Sequence, residues 1–115
     1  MDANDYYLHS EPGIDLNEQL VRNKTTTYFM RVHSDAMSGA GIQEGAIVIV
    51  DRSLEPASGK VVIASVNGEL LIRRLEKQGP HKARLLPASK LAPIALEHYS
   101  EKMIWGVVTY VINPV

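Results

Sequence analysis

Lys60-Val61-Val62-Ile63-Ala64-Ser65-Val66-Asn67-Gly68-Glu69-Leu70-Leu71-Ile72-Arg73-Arg74-Leu75 is the stretch on which the fold turns. Two apolar runs flank Asn67-Gly68. A two-residue type I′ loop needs positive φ at both positions, and Asn followed by Gly meets that need at least cost, so the stretch predicts an antiparallel hairpin. On its second arm, period-two alternation puts Leu71, Arg73 and Leu75 on one face and Arg74 on the other. Leucine neighbours predict partial burial of Arg73 and a carboxylate partner for it. The competing reading is a solvated pair of arginines on a strand.

Outward from the hairpin the pattern stays β. Ala46 to Val50 is a continuous apolar run, as in a strand buried on both faces. Pro56 to Gly59 reads as a turn. Thr25 to Val32 is β-branched and aromatic, with Tyr28, Met30 and Val32 on one face. Ser34 or Asp35 opens a short helical turn that Gly39-Ala40-Gly41 closes. Further strands are expected over Lys82–Leu86 and Met103–Ile112; in the latter, Trp105, Val107, Tyr110 and Ile112 suit a core or a dimer edge. Near the start, Asp15 or Asn17 caps a short helix after a Pro12-Gly13 turn. Met1 to Gly13 is polar apart from Tyr6, Tyr7 and Leu8, which predicts an arm that docks on a neighbour or stays free. The expected organisation is an arm over 1–13 and one domain over 14–115, mostly β, built of several short curled antiparallel sheets with one or two short helices.

Composition narrows the function classes. The chain has 115 residues, one domain's worth, and is 45% hydrophobic, as globular domains are. A net charge of -1 supplies no field for nucleic acid, so direct sequence-specific DNA binding is not expected and a partner would supply any grip on DNA. No cysteine is present, which removes disulfides, thiolate metal sites and a thiol nucleophile, and fits a reducing cytoplasm. No apolar run approaches the roughly 20 residues of a membrane span. The N-terminus has no basic and apolar pair of regions, so no secretory signal is expected and Asn23-Lys24-Thr25 is a chance glycosylation match. His9, His33, His81 and His98 lack metal-ligand spacing, and the glycines around Ala40 lack the Lys-Ser/Thr of a phosphate loop. No cofactor is implied.

Four segments carry a recognisable order: Ile14-Asp15-Leu16-Asn17; His33-Ser34-Asp35-Ala36-Met37 with Gly41-Ile42-Gln43-Glu44-Gly45; Ile47 to Asp51; and Gly68 to Leu75. Together they resemble the LexA/UmuD family of self-cleaving S24 peptidase-fold proteins over about Asp5 to Ile112. The early segment and the arm favour the UmuD type of SOS mutagenesis protein, in its processed form. The resemblance implies a LexA/UmuD C-terminal-domain-like fold.

In that family a Ser lies between an acidic residue and Met, and a Lys follows a Gly-acidic turn on the hairpin. The neutral Lys takes the Ser proton, turning a weak hydroxyl into a nucleophile. Carried over by position, the Ser falls on Ala36 and the Lys on Arg73. The two stand 37 residues apart (73 − 36), the family's spacing. A methyl cannot attack a carbonyl, and an arginine stays protonated at any pH a protein survives. Arg74 fails likewise and points away. Lys77 lies about 13 Å further along an extended strand, and Ser34 sits two residues early. The family has Gly at Ser34 and an acid at Ala46. No Cys-Gly or Ala-Gly bond of the kind cut in UmuD arms precedes Pro12, so the chain is expected to start about where a processed form would.

The resemblance implies a non-catalytic accessory subunit: a homodimer that associates with a Y-family, UmuC-like polymerase subunit at the RecA filament during error-prone translesion synthesis. Two alternatives stay open. One is a serine-lysine autopeptidase captured as an inactivated variant; the other is the dimerisation domain of a LexA-like repressor.

Overall fold

A computed structural model describes residues 8–115; Tyr6, Tyr7 and most of the expected arm lie outside the described residues. Helix α1 (Leu16–Leu20) begins at Asp15, whose carboxylate accepts the Asn17 and Glu18 amides, satisfying two of the donors that a helix start leaves open. Strands follow as β1 (Thr27–Arg31), β2 (Ile47–Asp51), β3 (Val61–Val66), β4 (Glu69–Lys77), β5 (Ala83–Leu86), β6 (Ile94–Leu96) and β7 (Ile104–Ile112). All pairings are antiparallel, so the mostly-β expectation holds. The strands join into one seven-stranded sheet of order β1-β2-β7-β3-β4-β5-β6.

Asn67 and Gly68 take φ of 52° and 82°, and Val66 pairs with Glu69 across them. The hairpin is therefore the one the sequence predicted. In β2, Val48, Ile49 and Val50 are all at most 1% exposed: Val48 and Val50 pack into an apolar cluster on one face, and Ile49 sits on the other between Phe29 and Tyr110. Register shifts where β7 meets β2 and β3 bend the sheet, as bulges do. The curl creates two apolar clusters. One gathers Val62, Leu75, Leu85 and Leu96 with Tyr99. The other gathers Val32, Met37, Val48, Ile63 and Ile72. Gly106, in β7, is the point of closest approach: a Cβ there would stand 2.5 Å from Val50 Cγ1.

One expectation differs in detail, and two short elements were not foreseen. The helical turn expected from Ser34 or Asp35 is a 3-10 turn over Ser38–Ala40, closed by Gly41 at φ 81°. It starts later because the Ser34 hydroxyl accepts the Ala36 N–H, a local loop that competes with helix. A further 3-10 turn, Glu101–Met103, precedes β7, capped by the Ser100 side chain. Strand β6, three residues long, has too little pattern to be seen in the sequence.

Candidate functional site

The segment between β1 and β2 holds Ala36, and it is tied to the chain just after β5. Ala88 donates its N–H to the Ala36 carbonyl at 2.8 Å and accepts the Gly39 N–H at 2.8 Å. Gly39 is required for that clamp, since a Cβ would stand 2.6 Å from the Ala88 oxygen. Leu86 pairs with Arg74, so the clamp hangs the Ala36 loop from the strand beside β4. At the other end of the loop Asn113 accepts the Gln43 N–H and donates to the Gly41 carbonyl. Ala36 itself is fully buried.

Arg73 lies on β4 opposite Val62 of β3 and is only 8% exposed. The sequence predicted a carboxylate partner for it; among the described residues none is present. Its Nη1 instead donates to the Ile72 carbonyl at 2.8 Å, and its Nε is buried without a partner. The reason lies in the sheet. The acids nearest in sequence, Glu69 and Glu76, sit at the hairpin turn and opposite Arg84, and Glu76 pairs with Arg84 at 2.7 Å. Burial pushes the Arg73 pKa down, yet a guanidinium starts so high that it remains a cation at neutral pH.

One cleft of about 410 Å³ is lined by the residues leading into the Ala36 loop, Met30 to Ser34, and by Leu70 to Arg73 of β4. It brings Ser34 and Arg73 to the same wall system. Ser34 is the nearest hydroxyl on the loop, but its oxygen is already engaged by the Ala36 amide at 3.0 Å. Arg74 is exposed and donates to the Gly59 carbonyl, on the other face as expected. Lys77 pairs with Glu101 at 3.4 Å. Neither supplies a neutral amine to the cleft. Among the described residues no lysine lines this cleft, the Ser34 oxygen is already engaged, and Arg31, His33 and Arg73 line it together with apolar walls.

Neither the Ala88 clamp nor the role of Asn113 is legible in the sequence, because an Ala-Gly contact and side-chain hydrogen bonds spanning 70 and 72 residues leave no local pattern. Nor did the sequence reveal Asp51, buried at 8% exposure at the end of β2. Its carboxylate accepts from the Ser53 amide and hydroxyl and from the Thr26 hydroxyl at 2.7–2.9 Å. Those bonds, led by that from the Ser53 side chain, hold its pKa below the usual carboxylate value against the opposing effect of burial.

Residues 2–109 match the family described as Peptidase S24-like. Protein ImpA of Escherichia coli is 35% identical over 111 residues, 96% of this chain and 73% of its own length. Protein SamA of Salmonella typhimurium is 32% identical over 91% of this chain and 72% of its own. Protein MucA of Escherichia coli is 34% identical over 89% of this chain and 70% of its own. These relatives are UmuD-like SOS mutagenesis proteins, the type that the four motifs resembled. Near-complete coverage, a curled antiparallel sheet and the predicted hairpin agree with one another: the chain belongs to the Peptidase S24-like family.

Proposed function

We propose that this protein is a non-catalytic UmuD-like accessory subunit in SOS mutagenesis, acting by homodimerisation and by binding a Y-family, UmuC-like lesion-bypass polymerase subunit at the RecA filament. The relatives support the role in SOS mutagenesis. The observation that carries the non-catalytic part is the burial of Arg73, the guanidinium at the residue that the family's spacing from Ala36 puts at the general-base position. A guanidinium cannot take a proton from a serine, so restoring the hydroxyl alone leaves nothing to activate it. Dimerisation is supported by an apolar row at one end of the sheet: Phe29, Tyr110 and Ile112 are 60%, 39% and 48% exposed. Phe29 pairs with Ile49 and Ile49 with Tyr110, so they share a face, and a face of that kind asks for a cover.

The test is reversion. Each variant is fused to an N-terminal arm carrying an Ala-Gly bond and followed by mass spectrometry. The native chain and the Ala36→Ser single revertant are expected to stay intact, and the Ala36→Ser/Arg73→Lys double revertant to cut the arm. Cleavage by the native chain or by the single revertant would refute the reading. Size-exclusion chromatography with light scattering tests the dimer: Tyr110→Lys should shift the native chain toward monomer, and a native chain that is monomeric at all concentrations would refute that part.

A further inference from the structure

The recess beside Arg73 keeps a chemistry of its own after losing the family's. Among the described residues Nε of Arg73 is buried and unpaired, and no Asp or Glu lines the cleft, whereas Arg31, Arg73 and His33 do. A buried cation whose single acceptor is its neighbour's carbonyl, with Nε left unpaired, is expensive to keep, so the geometry calls for an anion from outside. Its apolar walls, Met30, Val32, Leu70 and Leu71, call for side chains flanking that anion.

The backbone adds a direction. Leu75 donates its N–H to the Lys60 carbonyl and accepts the Gly59 N–H, so odd-numbered residues of β4 aim their amide groups at β3. Those of Leu70 and Ile72 therefore aim at the opposite edge. There β5 pairs only with Arg74 to Lys77, and the chain leaves at Ala88 to hold the Ala36 loop. The edge at Leu70 and Ile72 is left without a neighbouring strand, and Arg73 reaches back over it to the Ile72 carbonyl.

We propose that this cleft docks an extended acidic segment of a partner protein, whose Asp or Glu carboxylate pairs with Arg73 while its backbone adds to the open edge of β4. Such strand addition draws affinity from main-chain hydrogen bonds and specificity from alternate side chains, and a guanidinium matches a carboxylate with paired donors. The inference rests on the reading above that Arg73 is not a base, and it deepens that reading by giving the arginine a binding role.

The probes are acetyl-Val-Glu-Val-Thr-Val-amide and its counterpart with Gln for Glu, titrated into the 115-residue chain. NMR follows the Arg73 Nε–H and the Leu70 and Ile72 amides. The Glu peptide is expected to move all three and to bind at least about tenfold tighter than the Gln peptide, the scale of a charge-assisted over a neutral bond. Arg73→Met and Arg73→Gln should each erase the difference between peptides while the remaining spectrum stays folded. Equal binding of the two peptides, or an unmoved Arg73 Nε–H at millimolar peptide, would overturn the proposal. So would sodium acetate binding as tightly as the peptide, since then no strand is recognised, or a shift on raising protein concentration alone, which would assign the cleft to a second copy. None of these outcomes bears on the reversion experiment, so the two readings fail separately.

Discussion

Replacing Arg73 by Met is expected to stabilise the isolated protein. Arg73 is 8% exposed and, among the described residues, has one hydrogen bond, to the carbonyl of the adjacent Ile72, and an unpaired Nε. Withdrawing a charge of this kind from water costs several kcal/mol even after relaxation, while a charge-assisted bond returns about 1.5–3 kcal/mol. Methionine keeps an unbranched stem of similar reach between Leu71 and Leu75, so the packing is retained without the charge. The net gain should be about 1–3 kcal/mol, or several degrees in Tm for a domain of this size. Urea unfolding followed by Trp105 fluorescence reads it, Trp105 being the one tryptophan and stacked 4.3 Å from Arg52. The midpoint should rise with the urea slope unchanged. A lower midpoint would refute the argument, because it would mean that the buried guanidinium is a net stabiliser with compensation from its surroundings. The pH signature separates the two cations. Folding lowers the Arg73 pKa, so the unfolded chain holds that proton more tightly and the penalty sets in below the unfolded value, far above neutral. Across the neutral range it is constant. An Arg73→Lys chain starts from about 10.4, so its stability should climb with pH in the alkaline range below that value, where the unfolded state still binds the proton.

Two other substitutions test the frame around the site. Gly39→Ala places a Cβ 2.6 Å from the Ala88 carbonyl oxygen, a backbone atom that cannot step aside; a loss of about 1–3 kcal/mol is expected by urea unfolding, from overpacking, and wild-type stability would show the clamp to be loose. Asp51, held ionised by Ser53 and Thr26, has a folded pKa below its unfolded one, so it contributes stability that is present above the unfolded carboxylate value and lost as pH falls through the folded one. Asp51→Asn should therefore flatten the acid side of a stability-against-pH curve, and an unaltered acid limb would show the carboxylate to be thermodynamically silent.

Local chemistry settled a good part of this protein before any coordinates. Asn67-Gly68 forced a hairpin because only a few residues accept positive φ at two successive positions, and that demand is met within four residues. The run Ala46 to Val50 announced burial on both faces, Asp15 or Asn17 announced a helix start, which fell to Asp15, and alternation put Arg73 inward and Arg74 outward. The nature of Ala36 and Arg73 was equally plain, since a side chain's functional groups do not depend on folding.

Other features depended on segments distant in sequence. That β7 lies between β2 and β3 follows from pairing partners dozens of residues away, and β6 gains its place only by pairing with β5. The carboxylate expected for Arg73 failed to appear because acids on the same hairpin were directed elsewhere, Glu76 to Arg84. Alternation along a strand gives the direction of a side chain but says nothing of what stands opposite it. Three-dimensional packing alone made a cleft with two arginines, a histidine and, among the described residues, no acid, open along one strand edge, since it joins residues 30–34 with 70–73 and no local rule couples those two segments.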